Sequence, residues 1–417
     1  MQYTTPVTWT VLGLISGTSM DGIDVAGAEL RLVDGTIELR PSGSFERAYP
    51  AELRDRLHAA LPPAGCDAKE LCALDTEVGR EFGAAALGGR EVLGAEPDLI
   101  CSLGQTLYHW VEDGRARGTL QLGRPAWIAE ATGAPVVSDL RSRDVAAGGQ
   151  GAPLAGVLDA LWLADQPGTT AALNLGGIAN LTVVGGPRPL AYDTGPGNAL
   201  LDAAARVVTG QPQDTGGALA ARGEVRADLL DALLADPYYA RSAPKSTGKE
   251  HFNAEYLQGA LAQVDDVGGT DLLATLTELT ARTVADACRA HEVDSVIASG
   301  GGTANPALMR ALRADLGGID LRSSDLGTSS DLGISGLPAA GKEAYLAALL
   351  GFLTVNGLPG NAPGTTGASG PRLLGSITPG DRPLRLPEPA TAPARRVRVL
   401  PHGADHRLEV PCDPSTS

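Results

Sequence analysis

The sequence predicts an α/β protein with mixed sheets flanked by helices, built as two similar halves that face each other across a cleft. Runs typical of short buried strands, "DLICSLG" and "PVVSDL", each follow an amphipathic helical stretch. A strand, a Gly-rich polar loop and a second strand occur near the start, in "LISGTSMDGIDVA", and again near the middle, in "LNLGGIANLTVV". The length of 417 residues, 43% of them hydrophobic, suffices for two domains.

The first half opens with a predicted hairpin, in which "VLGLI" and "DVAGAEL" flank the polar loop. Apolar residues at helical spacing then predict two helices, "AELRDRLHAAL" and "AKELCALDTEVGREFGAAALGG". The two buried strands named above complete this half.

The second half repeats the hairpin in "TAALNLGGIANLTVVG" and continues with a strand, "LAYDTG", and a helix, "NALLDAAARVVTG". Helices dominate residues 216–292. The run "DSVIASGGGTANPALMRALRADL" predicts a strand, three glycines, and a helix with Asn305 as its cap and Pro306 at its first position. The last predicted helix is "GKEAYLAALLGFLTVNG".

These elements place one domain in residues 1–165, with the first Gly-rich loop, and a second in residues 166–380, with the second loop. From residue 381 onward Pro and charge increase and helical periodicity ends, which predicts a flexible tail over residues 381–417.

The composition limits the classes of partner. A net charge of −16 argues against nucleic acid, although a few backbone amides can still hold a small anion. The five cysteines are odd in number and lack zinc-type spacing, which predicts reduced thiols and a cytoplasmic location. The start lacks a signal-peptide pattern, and no apolar run is long enough to cross a bilayer, so we expect no membrane partner. A homodimer stays open.

The first loop, "SGTSMDG", has the residues of an anion-binding turn. Gly17 and Gly22 allow close approach of the backbone, Thr18 and Ser19 offer hydroxyl donors, and Asp21 can hold a metal ion through water. The alternative is an ordinary hairpin with an Asx-type turn.

Two further Gly-rich stretches favour a nucleotide. "NLGGIAN" (174–180) gains weight only from its pairing with the first loop, and "ASGGGTANP" (298–306) ends a strand at a helix N-terminus without the dinucleotide fingerprint. "GLPAAGKE" (336–343) fits the spacing of a phosphate-binding P-loop. We reject that interpretation because Glu343 replaces the required Ser or Thr and no strand precedes it.

Asp193, in "YDTGPGNALLD", is the best catalytic candidate. A carboxylate at a strand end beside a Gly-rich loop can act as a general base, and Asn198 is the predicted cap of the next helix. The alternative is an Asp that makes an Asx-turn with its own backbone.

Two charged stretches have both a functional and an ordinary interpretation. The loop "VSDLRSRDVAAGGQGAPL" holds Asp139, Arg141, Arg143 and Asp144, and Arg is the usual partner of a carboxylate; otherwise this is a solvated loop. "PKSTGKEHFN" (244–253) is either a substrate or domain-contact loop or plain surface. No Ser-His-Asp signature or histidine metal set is present.

Together these motifs resemble the anhydro-N-acetylmuramic acid kinase family, within the sugar kinase, Hsp70 and actin superfamily. The resemblance rests on seven stretches in the family's order over roughly residues 10 to 380: "GLISGTSMDGIDVA", "LQLGRPAWIAEATGAPVVSDLRSRDVAAGGQGAPL", "LNLGGIANLT", "YDTGPGNALLD", "PKSTGKEHFN", "GGGTANP" and "LPGNAPGTTGASGP". It implies two ribonuclease-H-like domains that close over the cleft.

The activity implied by the resemblance is ATP-dependent opening of the 1,6-anhydro ring of anhydro-N-acetylmuramic acid. Phosphorylation of the sugar 6-oxygen gives N-acetylmuramic acid 6-phosphate, an intermediate in peptidoglycan recycling, with Mg²⁺ beside ATP. Asp193 matches the family's catalytic aspartate, which takes a proton from the attacking water. An ordinary amino-sugar kinase and a nucleotide-binding regulator without chemistry are the alternatives.

The resemblance also implies a set of binding residues. Those for ATP are Gly17, Thr18, Ser19, Met20, Asp21, Gly22, Ile23, Asp24, Gly176, Gly177, Asn180, Gly300, Gly301 and Gly302, with Asp21 directed to Mg²⁺ through water. Those for the sugar are Gln105, Thr106, Gly195, Asn198, and Arg141 or Arg143 at the lactyl carboxylate. The chain departs from the family pattern on the sugar side, with Leu103 before Gly-Gln-Thr, Arg124 in "QLGRPAW", and no His shortly after Gly-Ala-Pro-Leu.

Overall fold

The computed structural model describes residues 7–62, 64–324, 336–338 and 341–401. Two mixed sheets are flanked by helices, as the sequence predicts. Among the described residues, no helix combines the length and the apolar character that crossing a membrane requires.

The first sheet is built from strands on both sides of a helical region and from two late strands. Its members are β1 (Trp9–Ser16), β2 (Gly22–Val33), β3 (Thr36–Ala48), β4 (Leu99–Glu112), β5 (Arg115–Leu122), β6 (Val136–Ser138), β12 (Ser376–Thr378) and β13 (Arg396–Val399). The strand order is β12-β6-β4-β1-β2-β3-β13, and β5 pairs with β4.

The second sheet contains β7 (Thr170–Leu175), β8 (Ile178–Val184), β9 (Leu190–Pro196), β10 (Ser295–Ser299) and β11 (Asp320–Ser323), in the order β11-β10-β7-β8-β9. In each sheet, two antiparallel pairings join the first three strands, and the next strands add in parallel beside the first. The shared order, 3-2-1-4-5, is ribonuclease-H-like, so the repeated hairpins do mark equivalent halves.

The helices lie on both faces of these sheets. They are α1 (Ala51–Ala59), α2 (Ala68–Leu93), α3 (Pro125–Thr132), α4 (Ser142–Ala146), α5 (Ala155–Trp162), α6 (Ala199–Thr209), α7 (Ala227–Leu234), α8 (Ala254–Leu261), α9 (Gly269–Ala290), α10 (Pro306–Leu316), α11 (Lys342–Val355) and α12 (Pro363–Thr366). The side chain of Asn305 caps α10 as predicted, accepting from the N–H groups of Ala307 and Leu308.

One apolar cluster joins the two halves. It contains β1, α5 and α11 side chains together with Ala172 and Ile297 of the second sheet. Helix α11 is apolar around its whole circumference, and a Cβ at Gly13 would overlap the carbonyl of Ala344. The helix therefore lies directly on β1, whereas the predicted division at residues 165 and 166 assigned it to the second half.

The prediction of a flexible tail from residue 381 is wrong for β13. Arg396–Val399 pair in parallel with β3, and the alternate residues Val397 and Val399 are buried beneath the edge of the sheet. Burying these two valines and adding a row of backbone hydrogen bonds gives the segment its order. Residues 402–417 of the predicted tail lie outside the described residues.

Candidate active site

The first Gly-rich loop exposes backbone and hydroxyl donors at the protein surface. Thr18, Ser19 and Asp21 are exposed, whereas Met20 is buried with a left-handed φ of 57°. The side chains of Met20 and Ile23 pack in the core of the first half, so only their backbone can face a ligand. Within the part of the chain that the structure describes, the N–H groups of Thr18 and Ser19 make no hydrogen bond.

The buried side chain of Gln105 holds this loop in place. It is fully buried, with Oε1 2.6 Å from Ser16 Oγ, and Nε2 donates to the carbonyl of Gly17 at 3.1 Å. The neighbouring Thr106 accepts a hydrogen bond from Gln121. The contact predicted between Gln105 and the sugar stays a prediction, and in this structure its amide supports the loop instead.

Asp24 carries an unusual carboxyl group at the start of β2. Burial, Glu46 and Glu343 together raise the pKa of Asp24 to about 6. A cation close to this carboxylate would relieve that destabilisation of its charged form. Glu343, at the start of α11, therefore brings a further negative charge to the region of the first loop.

The second Gly-rich loop is tied to the start of α6. The carbonyl of Gly176 accepts from both the backbone N–H and the Nδ2 of Asn198, and the carbonyl of Gly177 accepts from Gly197. Asn198 occupies the N-cap position, but its side chain makes no capping bond. The predicted capping is wrong because Nδ2 donates instead to the carbonyls of Leu175 and Gly176.

The triple glycine lies against the second loop. A Cβ at Gly300, whose φ is 88°, would lie 2.5 Å from Asn174 Oδ1, and one at Gly302 would lie 2.7 Å from the Cβ of Leu175. Gly301, by contrast, has nothing within 4 Å of that position. These glycines therefore permit close packing of the two loops and leave an open backbone surface at Gly301.

Lys249 extends across the second loop. Its Cε would be 2.9 Å, and its Nζ 3.7 Å, from a Cβ at Gly177. Among the described residues no carboxylate forms an ion pair with Lys249. An unpaired ammonium therefore lies beside the glycine turn.

Asp193 lies in the middle of β9 (Leu190–Pro196), opposite Asn180 of β8, and not at the strand end that the sequence predicts, because the strand continues through Thr194–Pro196 in pairing with β8. Its Oδ2 accepts from the N–H of Thr247 at 2.9 Å, and its backbone carbonyl accepts from the hydroxyl of Tyr238 at 2.6 Å. The carboxylate is bound by a residue 54 positions away rather than by its own turn, which removes the Asx-turn alternative. Burial raises the pKa of Asp193 to about 6, against the hydrogen bond from Thr247, which lowers it. Gly195 lies two residues further on the same strand and is buried.

The two candidate arginines face different surroundings. Nη1 of Arg141 donates to the carbonyl of Gly151 at 2.8 Å, whereas its buried Nε has no partner in the described part of the chain. Burial lowers the pKa of Arg141, and the charges of Glu343 and Asp144 oppose that effect. Arg143 is exposed and lines a separate recess of about 280 Å³ with Arg372.

Asp144 organises the loop that carries both arginines. Its carboxylate is fully buried and accepts hydrogen bonds from the Gly151 N–H, Asn361 Nδ2 and the Thr366 hydroxyl. The carboxylate of Asp144 is thus a structural group that ties this loop to α12. Asp139, near the start of the same loop, has a left-handed φ of 54°.

A cavity of about 490 Å³ lies beside this loop in the first half. Leu103 and Arg124, two of the three departures from the family pattern, both line it. Arg124 forms an ion pair with Asp75 at 2.5 Å, and the side chain of Arg124 is 73% exposed.

Lys342 confirms that the P-loop interpretation was rightly rejected. Its ammonium is buried against Asp159 and is unavailable to a phosphate. Residues 339 and 340 of that stretch lie outside the described residues.

The described residues contain no group of three or more His, Cys, Asp or Glu side chains suited to holding a metal ion. Mg²⁺ in phosphoryl-transfer sites is held by one or two carboxylates together with substrate phosphates. Asp21, exposed in the first loop, and Asp24 fit that partial ligand set.

Three residues that face the candidate site were not singled out by the sequence. In the sequence, Glu343 serves only as an argument against a P-loop. Thr247 is one residue of the charged stretch "PKSTGKEHFN", and Tyr238 falls in a region predicted to be helical. The chain order gives no sign that any of them approaches Asp24, Arg141 or Asp193.

Comparison with known proteins gives matches over nearly the whole chain. The family model described as "Anhydro-N-acetylmuramic acid kinase" matches residues 9–380. A relative with that name from Streptomyces coelicolor is 56% identical over 394 residues, which cover 94% of this chain and 99% of the relative. One from Rhodococcus erythropolis is 51% identical and covers 94% of this chain and 100% of the relative. A solved ROK hexokinase from Thermus thermophilus, 19% identical, covers 83% of this chain and 99% of its own at a TM-score of 0.32.

Proposed function

The chain belongs to the anhydro-N-acetylmuramic acid kinase family, and from this premise we propose that it uses ATP to open and phosphorylate anhydro-N-acetylmuramic acid. The product is N-acetylmuramic acid 6-phosphate, which serves the recycling of peptidoglycan. The observation that carries the proposal is the carboxylate of Asp193, which has one oxygen held by Thr247 and a pKa of about 6.

Asp193 acts as the general base. It accepts a proton from water as the water oxygen bonds to the anomeric carbon and the bond from that carbon to the 6-oxygen breaks. The 6-oxygen takes the γ-phosphoryl group of ATP, and ADP leaves. The proton then passes from Asp193 to solvent. A pKa of about 6 leaves the carboxylate mostly ionised at neutral pH while keeping it basic enough to accept a proton.

The phosphates of ATP lie against the two Gly-rich loops and the triple glycine. Free N–H groups at Thr18 and Ser19 donate to phosphate oxygens, and the ammonium of Lys249 supplies a positive charge beside Gly177. Asp21 and Asp24 are the residues that would hold Mg²⁺, which when bound would offset charge on the phosphates.

The lactyl carboxylate of the sugar pairs with Arg141 rather than Arg143. Arg141 is buried with Nε unpaired and lies within the electrostatic reach of Glu343, which also reaches Asp24 in the phosphate region. Arg143 faces the separate recess. The burial of Arg141 and its unpaired Nε therefore support Arg141 over Arg143 in this proposal. We also propose a cytoplasmic location and leave a homodimer as the assembly to test.

The test is incubation of the full chain with ATP, Mg²⁺ and anhydro-N-acetylmuramic acid, followed by mass analysis. The expected product has gained one phosphoryl group and one water, with one ADP formed per sugar. A product that has gained a phosphoryl group alone identifies an ordinary sugar kinase, and ATP binding without any sugar product identifies a regulator. Either result overturns the proposal.

A further inference from the structure

Residues 244–250 form an irregular segment that contacts Asp193 of β9. The N–H of Asp193 donates to the carbonyl of Lys245 at 3.1 Å, and the N–H of Thr247 donates back to Asp193 Oδ2 at 2.9 Å. The segment therefore holds both the main chain and the side chain of the same residue.

The Tyr238 hydroxyl also secures the main chain of Asp193, donating to its carbonyl at 2.6 Å. Lys245 in turn donates from Nζ to the carbonyls of Tyr238 and Tyr239, each at 3.1 Å, and lies 4.6 Å from the centre of the Tyr238 ring. These contacts close a ring of interactions around Asp193, so the position of Thr247 is itself fixed.

The two carboxylate oxygens of Asp193 consequently differ. Oδ2 is bound by the Thr247 amide, whereas Oδ1 makes no hydrogen bond within the described part of the chain. A base must present one oxygen to the proton that it removes, and that orientation sets its efficiency.

We propose that the backbone N–H of Thr247 is a positioning group for catalysis: by holding Oδ2 of Asp193, it directs Oδ1 toward the reacting water. This inference rests on the proposed function, because it takes Asp193 as the base.

The same bond affects when Asp193 is ionised. Glu250 and the phenol of Tyr238 are the titratable groups that interact with Asp193, and Glu250 favours its protonated form. The cation of Lys245 is directed to the tyrosine carbonyls. The Thr247 N–H is thus the contact that opposes burial and favours the charged carboxylate.

The side chain of Thr247 allows a matched comparison. Its Oγ1 is buried and has no partner among the described residues. Thr247→Ala keeps the amide N–H and removes the hydroxyl, whereas Thr247→Pro removes the N–H. The pair of variants therefore separates the backbone donor from the side chain.

The first experiment records kcat and kcat/KM against pH for the two variants and the wild type. With Thr247→Pro, we expect kcat at neutral pH to fall at least about tenfold and the acidic limb to move up by about one pH unit. The KM for ATP stays near the wild-type value. With Thr247→Ala, the acidic limb keeps its position, whatever the lost hydroxyl does to kcat. Equal shifts in both variants, or none in Thr247→Pro, overturn the proposal.

A second measurement does not depend on the folding of Thr247→Pro. The full chain is labelled with ¹⁵N-threonine, and the Thr247 amide resonance is identified by its absence from the spectrum of Thr247→Ala. We expect that resonance to titrate in the wild type with an apparent pKa of about 6 and not in Asp193→Asn. A resonance that stays still between pH 5 and 7 disproves the contact. If it titrates while the sugar is not phosphorylated, the hydrogen bond stands and the proposed function fails.

Discussion

Lys342 and Asp159 form a buried ion pair, 2.8 Å from Nζ to Oδ1, that joins elements of both halves. Lys342 begins α11 on the first sheet, and Asp159 lies on α5, where its Oδ2 accepts from the hydroxyl of Thr182 on β8. The ammonium also lies 3.4 Å from Ser299 Oγ of β10. Because Glu343 follows Lys342, the pair fixes the residue that acts electrostatically on Asp24.

Breaking this pair by Lys342→Met leaves the Asp159 carboxylate buried and without its cation. The two side chains are only 10% and 4% exposed, so we expect a loss of about 3–5 kcal/mol in the free energy of unfolding. Chemical denaturation followed by circular dichroism measures it. The double variant Lys342→Met with Asp159→Leu removes both charges and should regain much of the loss. A single variant with wild-type stability contradicts the prediction.

The role of Asp193 predicts a separation of binding from turnover. Asp193→Asn keeps the shape of the side chain and an oxygen that can still accept from Thr247, so the chain should fold and bind ATP. Loss of the base should lower kcat by about 10²- to 10⁴-fold. Calorimetry with a non-hydrolysable ATP analogue is the control for binding. Near-normal turnover would remove Asp193 from the role of base.

The wild-type pH profile follows from the raised pKa of Asp193. The base works only when deprotonated, so kcat/KM for the sugar should rise with pH, pass half of its plateau near pH 6, and level off above pH 7. Stopped assays from pH 4.5 to 8 with ATP and Mg²⁺ in excess give this curve. A half-plateau near pH 4, the range of an ordinary carboxyl group, would show that burial does not act on the catalytic step.

The fold was largely predictable because its repeated part, the hairpin, depends on residues that are close together in the sequence. The hairpins of β1 with β2 and of β7 with β8 each need only two apolar runs and a Gly-rich turn. The partner of α11 was not predictable, since a helix that is apolar on all sides signals burial without saying against which sheet. For β13, the alternation of arginines and valines in "RVRV" was a period-2 signal hidden by the prolines before it.

The site was predictable in part for the same reason. The Gly-rich loops stand at strand ends that the chain order reveals, whereas Asp193, predicted at such an end, lies in the middle of β9. The role of Asn198 was misjudged because the carbonyl groups of a distant turn compete for its amide. Thr247 acts through its backbone, which carries no residue-specific signal at all.

Lys249 offers a test of the second Gly-rich loop. Lys249→Met keeps the stem that packs on Gly177 but removes the charge, so the KM for ATP should rise about threefold to tenfold, while the KM for the sugar changes little. Lys249→Arg, which keeps the charge, should retain most of the affinity. Steady-state kinetics with each substrate varied in turn separates the two. An unchanged KM for ATP would place Lys249 on the plain surface.

The two arginines allow the recognition of the lactyl carboxylate to be tested within one loop. Arg141 is buried with Nε unpaired, and a bidentate ion pair in such a place should contribute more than one at the exposed Arg143. We expect Arg141→Lys to raise the KM for anhydro-N-acetylmuramic acid about tenfold or more, because an ammonium cannot reproduce the planar guanidinium contact. Arg143→Lys should change it less than twofold.

The diagnostic substrate is the anhydro sugar without its lactyl group. If Arg141 binds that carboxylate, Arg141→Lys and the wild type should phosphorylate this analogue almost equally well. If Arg143→Lys has the larger effect, or if Arg141→Lys impairs both sugars alike, the carboxylate is bound elsewhere, and Arg141 serves the loop through the carbonyl of Gly151.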